Sequence, residues 1–593
     1  MKFTKSLILL FCVMLVVSLS IACNDTEDVS DGDTDNPSDG DEEATDGDTD
    51  ATEDEQSPDG DDDAEEEFDS TDPVMAVTTT AHLRLVPTID SHGSECIGFE
   101  DNDFCQNPGM LMPDIDIFLD HGLGVWTVEE GEAFSLNEEL GFERGEVAED
   151  QRRSLFVWAH MSDVHITDEE SPNRMAAFDS KTIPSALRPM DMYSEVVLNS
   201  AVKTINAFNA SNPIDAVVVS GDMTDNAQFN EMDNFIKIMS GGEVNPDSGD
   251  DDDPVGGPNN DPQDIFTAPG LDMPWIIGMG NHDTLILGNW EINEETITQG
   301  IGESAITGTR NGETYEVESG YITADADRTP IDHEEMINMF FNDDSLPEGH
   351  GLTQDNLDNN RAYYTWDPSE DSIVRFITLD TAFRPQGFEG QGMGSSYVSP
   401  VIDLEQYNDF LIPALEQAKA DKKLVIIVNH HPSQKLQDDN LPERFITTEQ
   451  LQNTLKSYSN VLIHCVGHSH ENTAWPRVKD DEDGGYFEVQ SSSLIDWPQQ
   501  MRFYELVDNG NDTLSLFTVI VDHQSESQDS MSEYSRMLAL IDVQTHWGEG
   551  GPGISIERNV EMVFEVPDGF ADMVANAEGR KVQALTSWIG EHE

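Results

Sequence analysis

Gly278-Met279-Gly280-Asn281-His282-Asp283 comes directly after an apolar run at residues 273–277 and decides the fold of the chain. An apolar run of this length is typical of a buried strand, and glycines allow the backbone to turn sharply after it. The turn is expected to project Asn281 and His282 from the carboxyl end of the strand. In open α/β sheets, ligands bind at that edge.

The same arrangement, an apolar run followed by residue types that bind metals, occurs four more times. The runs at 155–159, 216–219, 424–428 and 461–463 lead into Asp163-Val164-His165, Gly221-Asp222, Asn429-His430-His431 and Gly467-His468-Ser469-His470. Five strands are therefore expected to deliver carboxylates, an amide and imidazoles to one sheet edge. This mixture of oxygen and nitrogen donors suits Mn, Fe or Zn better than Mg or Ca.

The order of these blocks resembles that of the calcineurin-like metallophosphoesterases, which have DxH, GD, GNH[DE], H and GHxH in turn; all five are present here. The resemblance implies an α/β fold of four layers (α/β/β/α), in which a two-sheet β-sandwich is flanked by helices. It also implies two divalent metal ions. The first would be bound by Asp163, His165 and His470, the second by Asn281, His430 and His468, with Asp222 bridging them.

The family's chemistry is the hydrolysis of phosphoesters by in-line attack of a metal-bridging hydroxide. His282 would then be the general acid, and the alternative is a histidine that only braces the turn. The neighbouring Asp283 is expected to take part in catalysis by fixing the tautomer of His282 and raising its pKa. Asp225 stands where the related purple acid phosphatases have a tyrosine iron ligand, which favours Mn, Zn or a mixed Fe site.

Several further residues are candidates to surround the substrate. His431 is expected to line the pocket, because a single strand end should present only one imidazole inward. Asp225 is interpreted as a hydrogen-bond acceptor for a metal-binding side chain. Arg174 and Arg188 would meet a substrate phosphate, or else pair with the abundant acidic residues, and Asp496 would shape the pocket or belong to a structural turn.

Three functions are compatible with these residues. A site with few basic residues offers no firm clamp for a dianionic phosphomonoester, which favours phosphodiesters or nucleotides as small-molecule substrates. A phosphomonoesterase of the same fold is the alternative within the family. The third possibility is a non-catalytic surface lipoprotein that binds a metal or a partner.

The N-terminus predicts export. Lys2 and Lys5 precede an apolar run at 7–17, which is too short to span a membrane, so residues 1–22 are interpreted as a signal peptide. The sequence Ala22-Cys23 resembles the end of a bacterial lipobox, which favours a lipid on Cys23 over free secretion. The expected location is periplasmic or on the outer surface, with the membrane contacted only through that lipid.

Acidic residues dominate the chain, with 119 Asp and Glu against 29 Lys and Arg and a net charge of −90. Residues 23–73 contain 25 of them and no basic residue, so this segment is predicted to be a disordered tether. Most of the negative charge therefore lies outside this segment. Binding to nucleic acid or to an anionic membrane surface is therefore not expected.

The rest of the chain is divided by its motifs. Residues 74–150 form a small N-terminal module of unassigned role, where Cys96 and Cys105 are close enough to pair. Residues 151–523 form the calcineurin-like domain, and residues 524–593 are predicted to be a mostly helical extension. Within the domain, insertions are expected at 166–189, 241–264 and 284–360, the last of them forming much of a lid.

Overall fold

The structure is a computed structural model that describes residues 77–89, 115–120, 122–174, 184–249, 260–309, 316–382, 400–436, 443–480, 482–525, 530–545 and 550–582. All of them belong to one compact unit, Glu66–Glu593. The predictions for the signal peptide, Cys23, the acidic tether and the Cys96–Cys105 pair lie outside the described residues. Within these ranges, no helix is long and apolar enough to cross a membrane.

Nineteen strands are found in the described ranges. They are β1 (Leu83–Pro87), β2 (Trp126–Glu130), β3 (Ser135–Asn137), β4 (Arg153–Met161), β5 (Ala216–Val219), β6 (Gly242–Val244), β7 (Phe266–Ala268), β8 (Trp275–Ile277), β9 (Ser304–Thr309), β10 (Glu316–Tyr321), β11 (Tyr364–Trp366), β12 (Val374–Thr378), β13 (Leu424–Val428), β14 (Val461–Val466), β15 (Thr473–Val478), β16 (Gly485–Gln490), β17 (Gln500–Asp508), β18 (Thr513–Asp522) and β19 (Val560–Glu565).

Two large sheets contain most of these strands. The first has the order β3-β19-β18-β17-β4-β5-β8, and the second has the order β11-β12-β13-β14-β16-β15. In the first sheet β4, β5 and β8 run parallel, and in the second β12, β13, β14 and β16 do. Each parallel set ends its strands at one edge, which is where the metal-ligand motifs begin.

The two sheets pack face to face, as the alternation of their side chains requires. In β4, Phe156 and Trp158 belong to the core between the sheets, together with Ile426 of β13. The rings of Phe156 and Phe376 of β12 lie 6.0 Å apart across this interface. Each such fully buried side chain contributes about 1.5–3 kcal/mol by leaving water. The predicted two-sheet sandwich is confirmed.

Helices cover the outer face of both sheets, which completes the four predicted layers. Val157 and Ala159 of β4 pack against the helices Ser194–Ser211 and Phe229–Ser240. The other helices are Ile115–Asp120, Glu294–Gly300, His333–Phe341, Gln354–Asn359, Ile412–Ala420, Thr448–Lys456, Met531–Gln544, Ser555–Arg558 and Ala571–Asn576, with a π-helix at Gln406–Leu411.

The distribution of strands differs from the sequence prediction in one respect that matters for the site. The five motif-bearing strands do not share one sheet edge. Three of them, β4, β5 and β8, belong to the first sheet, while β13 and β14 belong to the second. The apolar runs alone could not show this, because a strand buried on both faces reads the same in either sheet. The motifs therefore meet where the edges of two sheets converge.

Segments outside the predicted domain also contribute to the sandwich. β19 lies in the extension that was expected to be helical, yet it pairs with β18 over six residues. β3, from the N-terminal module, pairs in turn with β19. The long insertion 284–360 is likewise more than a lid, because Met336, Ile337 and Phe340 are fully buried in the core. Sequence spacing did not reveal these long-range partners.

A buried carboxyl group in the helix Ser194–Ser211 makes stability depend on pH. Glu195 is 2% exposed, and burial, the largest cause, raises its pKa to about 7. The folded state therefore keeps a proton that the unfolded state loses near pH 4.5, so stability falls as the pH rises from about 5 to 7. We expect Glu195→Gln to gain about 3 kcal/mol over the parent at pH 8 and less than about 1 kcal/mol at pH 5.

Urea unfolding at both pH values measures this difference. Glu130→Gln, on the exposed strand β2, is the matched control and should show no pH-dependent gain. A Glu195→Gln variant whose stability tracks the parent at every pH would contradict the prediction.

Candidate metal centre

Five of the seven predicted metal ligands have a left-handed backbone. The φ angles are 53° at Asp163, 50° at His165, 52° at Asp222, 77° at His468 and 54° at His470. This conformation costs a non-glycine residue roughly 1–2 kcal/mol, so it persists only where the surroundings enforce it. The loops enforce it on one another: the amides of Val164 and His165 both donate to the carbonyl of Asp222, at 2.8 and 3.0 Å. Such strain is typical of functional sites.

Two glycines allow these loops to approach closely. A Cβ at Gly280 would lie 2.1 Å from Oδ1 of Asp222, and a Cβ at Gly467 would lie 1.8 Å from Oγ of Ser162. Gly280 does not have a positive φ. Gly280 is required because the Asp222 carboxylate passes directly over its backbone.

One group of ligand atoms surrounds Asp163. The Nε2 atom of His470 lies 3.1 Å from Oδ1 of Asp163, and Nε2 of His165 lies 3.8 Å from Oδ2 of Asp222. Ligand atoms of Asp163, His165 and His470 lie within 4.8 Å of one another. These are the three residues that the resemblance assigns to one metal.

A second group adjoins the first through Asp222. Nε2 of His430 lies 3.0 Å from Oδ2 of Asp222 and 3.8 Å from Oδ1 of Asp163. His430, His431 and His468 also bring ligand atoms within 4.8 Å of one another. The expectation that only one imidazole of the His430-His431 pair points inward is wrong. Nδ1 of His431 is tied to Oγ1 of Thr381 at 2.8 Å, which turns the other ring nitrogen toward the group.

Buried atoms without hydrogen-bond partners indicate that these groups accept an ion. Within the described ranges, they include Nε2 of His165, Nε2 of His431 and Oδ1 of Asn281. A buried polar atom that lacks a partner is costly, and native proteins rarely tolerate one. Three such atoms beside two carboxylates and further imidazoles form a donor set of the kind that binds borderline divalent metals. The residues therefore fit the ions that the motifs imply.

The electrostatics of the centre also suit a cation. Burial raises the pKa of Asp163 and Asp222, but neighbouring histidines outweigh it and hold both pKa values below their usual range. Burial, followed by the charge of His430, lowers the pKa of His468 to about 3. Burial, followed by the charge of His282, lowers the pKa of His165 to about 4. His468 and His165 are thus neutral at pH 7, and the neutral imidazole is the form that binds a metal.

His282 lies at the rim of the first group, with 7% of its surface exposed. Its Nδ1 lies 2.9 Å from the carbonyl of Asp225 and 3.2 Å from Oδ1 of the same residue. Nδ1 of His165 lies 2.9 Å from the same Oδ1 of Asp225. Asp225 thus contacts two histidines of the centre as a hydrogen-bond acceptor.

Asp283 does not contact the side chain of His282, contrary to expectation. Its carboxylate accepts hydrogen bonds from the amides of Gly280 at 2.8 Å, Asp222 at 2.9 Å, Met223 at 2.7 Å and Thr224 at 3.1 Å. Asp283 is fully buried. Its function is to hold the loop that carries Asp222 against the loop that carries Asn281, and Asp225 takes the place that was predicted for it beside His282.

We expect Asp283→Ala to unfold more easily than the parent by about 3–5 kcal/mol, because it leaves four buried amides without an acceptor. Asp283→Asn should fall between the two, since it keeps one acceptor oxygen. Urea unfolding of the metal-free protein measures the effect. An Asp283→Ala variant as stable as the parent would show that water or backbone movement satisfies the amides.

Both arginines proposed for substrate phosphate are engaged with acidic residues. Nη2 of Arg174 lies 2.9 Å from Oδ2 of Asp191. Nε of Arg188 lies 3.2 Å from Oδ1 of Asp496, and its side chain is 2% exposed. The alternative interpretation, an arginine paired with an acid, describes both. Oδ2 of Asp496 lies 2.5 Å from Nδ1 of His470, so Asp496 contacts a predicted ligand.

The sequence analysis missed Thr381, which contacts His431. Thr381 follows β12, a strand that carries no motif of its own, and the only signal available was its position beyond a strand end parallel to β13. His464 differs from the histidines of the centre, because both of its ring nitrogens have partners. Glu488 lies 3.2 Å from one ring nitrogen, and Asn429 contacts the other.

Comparison with known proteins agrees with the geometry of the centre. Residues 157–472, more than half of the chain, match the family model of the calcineurin-like phosphoesterases. No curated protein sequence matches the chain.

Three solved structures are similar, each at low identity. GAP50, the anchor in the inner membrane complex of Plasmodium, is 12% identical with a TM-score of 0.29, over 65% of this chain and 95% of that one. The sulfate thiohydrolase SoxB of Thermus thermophilus is 11% identical with a TM-score of 0.29, over 66% and 60%. The 5'-nucleotidase of Candida albicans is 12% identical with a TM-score of 0.28, over 66% and 57%.

The ordered motifs, the two-sheet sandwich and the match over residues 157–472 agree with one another. The chain belongs to the calcineurin-like phosphoesterase family and is a metal-dependent phosphoesterase.

Proposed function

We propose that the protein hydrolyses small phosphoesters at a two-metal centre built around Asp222. The observation that supports this most directly is the sharing of ligand atoms: Asp222 lies within 4.8 Å of His165 and His282 in one group and of Asp163 and His430 in the next. A carboxylate between two adjoining groups of donors is the arrangement that a dinuclear site requires.

The roles of the residues follow from their position. Asp163, His165 and His470 would hold one ion, Asn281, His430 and His468 the other, and Asp222 would contact both. When bound, such ions supply an activated water at neutral pH and offset charge on the phosphoryl oxygens. Their identity is proposed to be Mn, Fe or Zn, because imidazoles and carboxylates occur together.

His282 is proposed to protonate the leaving oxygen. Its Nδ1 is engaged with Asp225, which leaves Nε2 as the atom that can reach a substrate. Burial lowers the pKa of His282, but the charges of Asp222 and Asp225 outweigh it, so its pKa lies above the usual value. This direction favours the protonated imidazole that a general acid requires.

The preferred substrate is proposed to be a phosphodiester or a nucleotide. Arg174 and Arg188 are both engaged by carboxylates inside the protein, so neither is available to clamp a dianionic phosphate. One observation favours the alternative, a phosphomonoesterase. Lys435 is exposed in the turn after His431, and its charge contributes to lowering the pKa of His431 and of His468. An ammonium whose charge acts on these two imidazoles would also attract the second charge of a phosphomonoester.

Hydrolysis of a matched aryl phosphomonoester and aryl phosphodiester tests both the requirement for two metal ions and the substrate preference. The purified protein is stripped of metal, and Mn, Zn or Fe is then added back with its stoichiometry measured. We expect no turnover after stripping, turnover restored by a metal at about two ions per chain, and a higher kcat/KM for the diester.

The outcomes separate the alternatives. A higher kcat/KM for the monoester would reverse the substrate proposal and identify Lys435 as the residue to replace next. Full activity with one ion bound per chain would refute the dinuclear centre. Absence of turnover with two ions bound would show that small aryl phosphoesters are not substrates.

We also infer that the protein is exported and anchored through a lipid on Cys23, on the evidence of its N-terminal residues. Fractionation of cells tests this. The parent should sediment with the membranes, and Cys23→Ser should be recovered in the soluble exported fraction. An equal distribution of the two would refute the lipid anchor.

A further inference from the structure

Arg188 lies directly behind the first group of ligands. Its side chain is 2% exposed and is therefore almost completely shielded from solvent. Its amide donates to Oδ2 of Asp191 at 2.9 Å, which fixes the backbone from which the guanidinium extends. The sequence suggested a phosphate-binding role for this residue, but the guanidinium points into the protein.

Besides Asp191, whose Oδ1 lies 3.9 Å from Nη1, the guanidinium contacts two further carboxylates. Nε lies 3.2 Å from Oδ1 of Asp496, and Nη1 lies 3.5 Å from Oδ1 of Asp225. Both carboxylates are buried, at 1% and 2% exposed. A buried carboxylate is strongly destabilised unless it is paired and hydrogen-bonded, so Arg188 compensates two charges at once.

Each of these carboxylates contacts a different histidine of the first group. Oδ1 of Asp225 lies 2.9 Å from Nδ1 of His165, and Oδ2 of Asp496 lies 2.5 Å from Nδ1 of His470. A carboxylate that accepts the Nδ1 proton fixes the tautomer and leaves Nε2 as the metal-binding atom. One cation therefore supports both imidazoles that face Asp163.

We propose that Arg188 is a positioning residue for the first metal site, acting through Asp225 on His165 and through Asp496 on His470. The proposal rests on the proposed metal-binding role of these two histidines. Without the guanidinium, Asp225 and Asp496 would be two buried carboxylates of like charge that have lost their arginine partner. The two charges would repel each other and the carboxylates would separate, so both histidines would lose the acceptor that orients them.

Another buried arginine provides a matched control. Arg328 is fully buried and likewise joins two carboxylates, Asp168 at 3.2 Å and Glu170. The Asp168 carboxylate also accepts hydrogen bonds from the amide of Glu170 and from the side chain of Asn230, and neither of these residues is a predicted metal ligand. Replacing Arg328 removes a buried cation of the same kind and measures the general cost of doing so. An effect that is specific to Arg188 must come from the histidines.

The experiment compares Arg188→Gln, Arg188→Lys and Arg328→Gln with the parent by equilibrium dialysis against Zn. We expect Arg188→Gln to weaken one of the two sites by about 10–100-fold while the other keeps its affinity. Arg188→Lys should recover part of the loss, because lysine keeps the positive charge but lacks the planar guanidinium that contacts both carboxylates. Arg328→Gln should bind both ions as the parent does. With an aryl phosphodiester, Arg188→Gln should lower kcat and leave KM nearly unchanged.

A second measurement decides the proposal without metal or turnover. Nitrogen-15 spectra of the metal-free protein report which ring nitrogen of each histidine carries the proton. We expect the tautomers of His165 and His470 to change in Arg188→Gln or, if that variant does not fold, in Arg188→Lys. Unchanged tautomers together with parent-like Zn affinity would overturn the proposal, and so would a rise in KM alone, which would identify a substrate contact. Failure of the parent to hydrolyse phosphoesters would refute the proposed function and leave this result standing.

Discussion

Asp222→Asn is expected to lose hydrolysis by about 10³-fold or more and to bind both metal ions weakly. Oδ2 of Asp222 lies 3.0 Å from Nε2 of His430 and 3.8 Å from Nε2 of His165, so one oxygen faces both groups of ligands. An amide nitrogen there would present hydrogens instead of a charge. Losing the charge that holds two cations removes several kcal/mol of transition-state stabilisation, which corresponds to a loss of this size.

The substitution is conservative for folding. Oδ1 of Asp222 accepts the amide of His282 at 2.8 Å, and an asparagine oxygen can accept the same bond. Asp215→Asn is the matched control, because Asp215 directly precedes β5, at the end of the strand opposite Asp222. Metal stoichiometry, kcat/KM and urea unfolding are measured on both. Two tightly bound ions in a folded Asp222→Asn would contradict the bridging role.

The metal-ligand residues could be predicted from sequence because each short motif follows its own strand. A buried strand is recognisable from its apolar run. Polar residues that follow it lie at the carboxyl end of the strand, which is the edge where ligands bind. β13 shows this well: the predicted run 424–428 is the observed strand, and His430 follows it into the centre. Such inferences need only local sequence.

Contacts between distant segments could not be predicted in the same way. Asp283 was placed beside His282 because the two are neighbours in sequence, yet its carboxylate accepts the amides of residues 222–224. The pairing of β3 with β19 joins residues more than 400 positions apart. Arg188 and Asp496 meet across some 300 positions. No local pattern encodes these contacts, since each depends on how the two sheets and their loops converge.

The proposed acid, His282, gives the second large effect. Its Nδ1 is held by Asp225, so a protonated ring can donate only through Nε2. General acid catalysis contributes about 10²–10⁴-fold when the leaving group is poor, and little when the leaving group departs unaided. We therefore expect His282→Ala to lose about 10²–10⁴-fold on an alkyl phosphoester and much less on a nitrophenyl ester.

Metal content separates this role from the alternatives. His282 also brings a ligand atom within 4.8 Å of His165 and Asp222, so it has to be distinguished from a metal ligand. As an acid, its replacement leaves two ions bound and makes the rate depend more steeply on the pKa of the leaving group. As a ligand, its replacement lowers metal affinity and slows alkyl and nitrophenyl esters equally. If His282 only braces the turn, its replacement changes the stability of the protein but not the dependence of the rate on the leaving group. An alkyl ester hydrolysed as fast as by the parent would exclude His282 as the acid, because another proton donor would then serve the leaving oxygen.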